Sequence, residues 1–203
     1  MWADWAERTQ EPTREEWLEQ ACRVLSVDVW AKADAGAISP VRVSVGFPII
    51  GARPSKHMRI GECWYGPSTA DGIPQIFVHP TVSDGIAVLA VLLHELIHAC
   101  LGSVCGHRGR FKQVATALGL EGPMRATVPG DALHTWFESM LLRLGAYPHS
   151  KLDPMAGRKV QKTYLLKATC EKCSYTIRLT EKWASLGLPI CVCGCNFRLE
   201  ETK

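Results

Sequence analysis

The sequence predicts an α+β fold, a small antiparallel sheet packed on helices, followed by a small module that a metal ion holds together. Three observations lead there. Three short strand-like segments precede a long apolar helical run, helical patterns flank that block, and five of the nine cysteines fall in the last 34 residues at metal-ligand spacing. At 203 residues the chain can bury one good core and still leave room for a second, smaller unit. Hydrophobic content of 47% and charged content of 21% are those of an ordinary globular protein, so disorder is not the default.

Thr13-Arg14-Glu15-Glu16 has the form of a capping box, with Thr13 as cap and Glu16 three positions on. Leu18, Ala21, Cys22, Leu25 and Val29 then recur at helical spacing, which predicts a helix over about 14–33. The Ala-Gly-Ala-Ile-Ser-Pro stretch at 35–40 breaks it. Residues 41–47 alternate in period two and read as a strand with one buried face; 59–64 and 75–79 are two further short strands, separated by a loop rich in Gly and Pro. The third strand is expected along a cleft, where an extended chain can add to a sheet edge. His79 at its end reads as a surface residue.

Pro80 to Asp84 supply a break and a cap before the apolar helix, which starts near Ile86 and stops near Leu101, because Gly102, Gly106 and Gly109 favour turns. Residues 110–118 form a second helix, with Phe111, Val114 and Leu118 on its core face. A third runs from Asp131 to about Leu144 through Leu133, Phe137 and Met140. His134 on that helix reads as core or rim packing rather than as a metal ligand. Residues 147–157 lack periodicity and hold two prolines, so the domains are expected as 1–150 and 151–203, with a basic linker at 158–162.

The chemistry concentrates in the apolar helix. His94 and His98 lie four residues apart, so both imidazoles emerge on one face about 6 Å apart along the axis, a spacing that suits one zinc ion. Glu95 lies beside the pair, where a carboxylate can act as general base on a water without being a ligand. The glycines after the helix let the chain fold back and bring His107 to the same ion. Three imidazoles leave a tetrahedral position open, the mark of a catalytic rather than a structural zinc. A membrane span is a poor reading of residues 86–105, since His, Glu and His near its middle are costly in lipid.

Toward the carboxyl end, Cys170 and Cys173 are separated by two residues, and 17 residues further on comes Cys191-Val-Cys193-Gly-Cys195. This is the ligand layout of a small zinc ribbon, in which four thiolates close a structural site. Cys191 with Cys193 is the preferred second pair; Cys193 with Cys195, or Cys191 with Cys195, are the alternatives. The net charge of +3 divides unevenly, as residues 1–150 carry 13 Lys/Arg against 15 Asp/Glu and residues 151–203 carry 10 against 5. A tail at +5 before metal binding invites an acidic partner. The odd cysteine count and an amino end without signal-peptide character are read as cytosolic.

Taken together, His94-Glu95-Leu96-Ile97-His98, His107-Arg108-Gly109-Arg110-Phe111 and the paired cysteines resemble the SprT-like metalloprotease family, which includes the Spartan proteases. Gly46, the Gly61-Glu62-Cys63-Trp64 strand and Gly119-Leu120 are similar to members encoded by bacteria and their phages. The family's second element is His-Gly-x-x-Phe, and Arg108 here stands between His107 and Gly109. The resemblance covers roughly residues 40–200. It implies a zincin-like minimal metalloprotease domain followed by a zinc ribbon, in the cytoplasm of a bacterium or of a phage-infected host. It further implies a catalytic zinc on His94, His98 and His107 with Glu95 as base, and a structural zinc on the cysteines. The implied substrates are proteins associated with DNA, with the ribbon or basic tail supplying DNA affinity. Two rival functions are a nucleic-acid-binding adaptor whose helix site is idle, and a zinc hydrolase of some non-protein amide.

Overall fold

The computed structural model describes residues 12–34, 40–51, 58–102, 105–154, 156–157 and 164–200. The expected break at 35–40, except Pro40, and the basic linker at 158–162 lie outside them. The chain divides into two compact units, Met1–Pro154 and Met155–Lys203. Among the described residues no helix is long and apolar enough to cross a membrane.

The first unit opens with α1 (Arg14–Ala33), whose capping box forms: the Glu16 N–H donates to Thr13 Oγ1 at 3.3 Å and the Thr13 N–H to Glu16 Oε2 at 2.7 Å. Its apolar stripe of Trp17, Leu18, Ala21, Leu25 and Val29 is fully buried, and the Trp17 indole donates to the Gly145 carbonyl at 3.1 Å. Three strands follow, β1 (Arg42–Val45), β2 (Gly61–Trp64) and β3 (Gln75–Val78), in the order β1-β3-β2. β2 and β3 are antiparallel, with Gly61 opposite Val78, but β1 and β3 are parallel, with Arg42 opposite Gln75.

The sheet is therefore mixed, not antiparallel as expected. β3 takes the middle because Ile76 and Val78 point into the core without exposure, while the long connection between β1 and β2 carries the chain to the far side of it. This also moves the expected cleft strand: β3 has a neighbour on each side, and β1 and β2 are the edge strands. His79 is likewise not a surface residue. It is fully buried, its Nδ1 lies 2.7 Å from Thr81 Oγ1, and the Phe47 ring meets it edge-on.

α2 (Gly85–Leu101) runs through the core. Asp84 caps it by accepting from the Ala87 N–H at 2.8 Å, and Val88, Leu89, Leu92, Leu93, Leu96 and Ile97 are buried around it. A helix apolar on nearly every side is a buried helix. It ends where Gly102 turns to a φ of 75°, its N–H still bound to the His98 carbonyl. α3 (Arg110–Ala117) and α4 (Asp131–Leu144) pack Phe111, Val114, Leu133, Phe137 and Met140 into the same core. Between them lies a pair of two-residue strands, β4 (Leu120–Glu121) and β5 (Val128–Pro129), which no periodicity announces. His134 is exposed and faces Glu138 at 3.7 Å.

The second unit is a three-stranded antiparallel sheet in the order β7-β6-β8, made of β6 (Leu165–Cys170), β7 (Thr176–Thr180) and β8 (Phe197–Leu199), with a one-turn helix α5 (Glu181–Ala184) after β7. Among the described residues its buried core is Ala168, Cys170, Cys191 and Phe197, with Ile177, Leu179, Leu188 and Cys195 partly buried against it. So few apolar side chains cannot offset the entropy of ordering the segment, which points to a bound metal as the missing stabilisation.

Candidate metal centres

His94 and His98 project from one face of α2, and a tight turn over residues 105–109 returns the chain to them. Gly106 and Gly109 adopt φ of 47° and 53°, which side chains rarely tolerate, so the turn depends on glycine at these positions. His107 is thereby delivered between the two helix histidines. Its Nε2 lies 3.2 Å from His94 Nε2 and 3.2 Å from His98 Nε2.

These contacts cannot both be well-directed hydrogen bonds among neutral rings, because one imidazole nitrogen offers a single proton or a single lone pair. A cation accepting three lone pairs satisfies all of them at once. With metal–nitrogen bonds of about 2.0–2.1 Å, tetrahedral corners stand about 3.4 Å apart, close to the observed spacing. The residues thus fit a metal ion by their own geometry, and the three form one of two such groups among the described residues.

The surroundings favour the neutral rings that ligate. Burial, followed by the neighbouring His98 and His107, pushes His94 down to about 3, and burial followed by His107 pushes His98 down to about 4. Phe111, fully buried, floors the cluster: its ring stacks on His98 at 4.4 Å between centroids and meets His94 and His107 at 4.9 and 5.1 Å.

Glu95 is three before His98, a spacing at which helix side chains are neighbours, and it is buried. Burial, then the charge of Glu62, raises its carboxyl to about 8 against the opposing effect of Arg59. A divalent cation nearby would draw it down again. β2 crosses α2 at this point. A Cβ on Gly61 would stand 2.6 Å from Glu95 Oε1 and 2.7 Å from Val91 Cγ1, so only glycine lets the edge strand lie so close. On the side away from β3, β2 pairs with no strand among the described residues.

In the second unit, Cys170, Cys173, Cys191 and Cys193 converge, with Cys170 Sγ 3.5 Å from Cys193 Sγ and Cys173 Sγ 3.5 Å from Cys191 Sγ. The backbone decides between the three cysteines of the last group. Gly194, at a φ of 80°, donates to the Cys191 carbonyl at 2.8 Å, and the Cys191 N–H donates to the Cys195 carbonyl at 2.9 Å. That knuckle turns Cys195 out of the group. Its Sγ lies 4.0 Å from the Cys193 carbonyl instead. The Cys173 N–H is the main influence lowering the Cys170 thiol to about 6, which favours the ligating thiolate.

No protein-family model, curated protein or solved structure matches this chain. Function must be read from the residues themselves. Sequence reasoning named all seven residues of the two groups; it missed the close approach of Gly61, the reach of Phe111 to three rings, and a hydroxyl behind His94. A strand glycine is a weak signal of close backbone approach. The other two depend on packing that no local pattern encodes.

Proposed function

We propose that this chain is a zinc-dependent metallopeptidase of the SprT-like kind, acting on proteins associated with DNA. The observation that carries the reading is His107 Nε2 lying 3.2 Å from both His94 Nε2 and His98 Nε2, next to a buried glutamate. Three imidazoles with room for a further ligand suit a catalytic zinc, and four thiolates suit a structural one. Bound at His94, His98 and His107, zinc would supply Lewis acidity toward a peptide carbonyl and toward water.

The protein's own groups do the rest. Glu95 accepts a proton from the attacking water and returns it to the departing amine. Phe111 and the turn at 105–109 hold the three rings in place. The open edge of β2 lies beside Glu95 and offers backbone N–H and C=O groups to an extended substrate chain, which aligns the scissile bond without reading its side chains.

DNA as the partner is supported by the second unit. Tyr164, Tyr175 and Trp183 are exposed there, Lys182 Nζ sits 5.2 Å over the Trp183 ring, and Lys167, Arg178 and Arg198 lie on the same small sheet. Exposed rings among cations suit stacked bases and phosphates.

The decisive experiment incubates wild type and Glu95→Gln with a DNA-binding protein, with and without single-stranded DNA. Cleavage by wild type alone is expected. Salt-sensitive DNA binding with no cleavage under any condition would instead favour an adaptor with an idle helix site.

A further inference from the structure

We infer that Thr127 is a positioning residue for the three-histidine site, holding the ring orientation of His94 from behind by accepting from its Nδ1–H. The inference rests on reading His94, His98 and His107 as a metal site. Thr127 Oγ1 lies 3.0 Å from His94 Nδ1, while Nε2 of the same ring faces His107. Neutral imidazole carries one proton. If Nδ1 holds it and donates to Thr127 Oγ1, Nε2 presents a lone pair to the ion; with the proton on Nε2 the ring cannot ligate. An ion on Nε2 leaves the proton on Nδ1, and the hydroxyl behind the ring then accepts it and fixes the ring's orientation.

The hydroxyl is held firmly. Thr127 directly precedes β5, and the loop that bears it is closed at its tip by the Ala126 N–H donating to the Pro123 carbonyl at 2.7 Å. At its base the Gly130 N–H donates to the Gly119 carbonyl at 2.9 Å, beside the β4–β5 pairing. Gly130 is packed directly on the Glu121 carboxylate, so close that a side chain there would collide with it. Two strands of two residues make little sense as a sheet. They make sense as a brace for this loop.

The other helix histidine lacks such support. His98 Nδ1 is buried and has no hydrogen-bond partner among the described residues. Ligating histidines ordinarily donate their second nitrogen to a fixed acceptor, and loss of that acceptor weakens metal binding about 10- to 100-fold. Of the two rings on α2, His94 alone is supported in this way, so Thr127 should bear a large share of the site's preorganisation.

The test uses the full chain and zinc alone, with a competing chelator to measure affinity at the histidine site and the cysteine site as internal reference. Thr127→Val keeps the shape and removes the hydroxyl; Thr127→Ser restores it. The expected result is about 10- to 100-fold weaker zinc binding at the histidines in Thr127→Val, unchanged binding at the cysteines, and near wild-type affinity in Thr127→Ser. Wild-type affinity in Thr127→Val would overturn the inference and leave the peptidase reading standing. A wild-type chain that takes no zinc at the histidines would sink both. Should Thr127→Val fail to fold, the nitrogen-15 spectrum of the zinc-loaded wild type decides: His94 must show a protonated Nδ1 with contact to Thr127, and a protonated Nε2 refutes the assignment.

Discussion

Gly61 of the edge strand and Glu95 of the buried helix meet without room for a methyl group, since a Cβ on Gly61 would stand 2.6 Å from the Glu95 carboxylate oxygen. Gly61→Ala must therefore displace the carboxylate, the Val91 side chain or the strand. Overpacking of this kind costs about 1–3 kcal/mol. Chemical denaturation should show that loss, and cleavage should fall far more than zinc content. Full activity in Gly61→Ala would mean that the carboxylate tolerates displacement and is not held by the strand.

The cysteine knuckle makes a count of ions informative. Wild type should carry about two zinc ions per chain, one in each centre. Cys193→Ser should lose one of them and loosen the second unit, whereas Cys195→Ser should keep both. His94→Ala should lose the other ion and spare the cysteine site. Elemental analysis of the four purified proteins checks all of this, and loss of zinc from Cys195→Ser would contradict the placement of that thiol.

At the start of α1 the capping box ties stability to pH. Hydrogen bonds from the Thr13 backbone, then from its side chain, hold the Glu16 carboxyl below its ordinary value. A carboxyl depressed in the folded state contributes above its unfolded pKa of 4.5, and the contribution disappears as pH falls through the depressed value. Thr13→Ala should cost about 1 kcal/mol of helix stability at neutral pH. Below that window the difference should shrink but persist, because the Glu16 N–H donates to Thr13 Oγ1 at any pH. Hydrogen exchange of the first turn of α1 at pH 7 and in acid distinguishes the two.

What the sequence disclosed follows the reach of each interaction. The helices and their caps were readable because Thr13 and Glu16, or Asp84 and Ala87, interact three residues apart. The histidine pair of α2 was readable because i and i+4 on a helix share a face. Strand order was not, since β1 pairs with β3 across a chain that also contains β2, and nothing local to Arg42 or Gln75 specifies the partner. His79 was misplaced for the same reason: the Phe47 ring against it comes from another segment. The choice among Cys191, Cys193 and Cys195 waited on one left-handed glycine, Gly194, whose type is visible in sequence but whose turn is not.

The histidine centre has an uneven construction with a practical consequence. His94 and His107 are only 13 residues apart, while the hydroxyl behind His94 lies 33 residues further on. The ligating groups are thus portable, since all three histidines lie in one short helix-turn segment. Their support is not: Thr127 stands behind His94, and Gly61 packs on Glu95, from distant parts of the chain that must close around that segment. A graft of residues 85–111 onto another scaffold should accordingly capture metal about 10- to 100-fold more weakly than the whole chain.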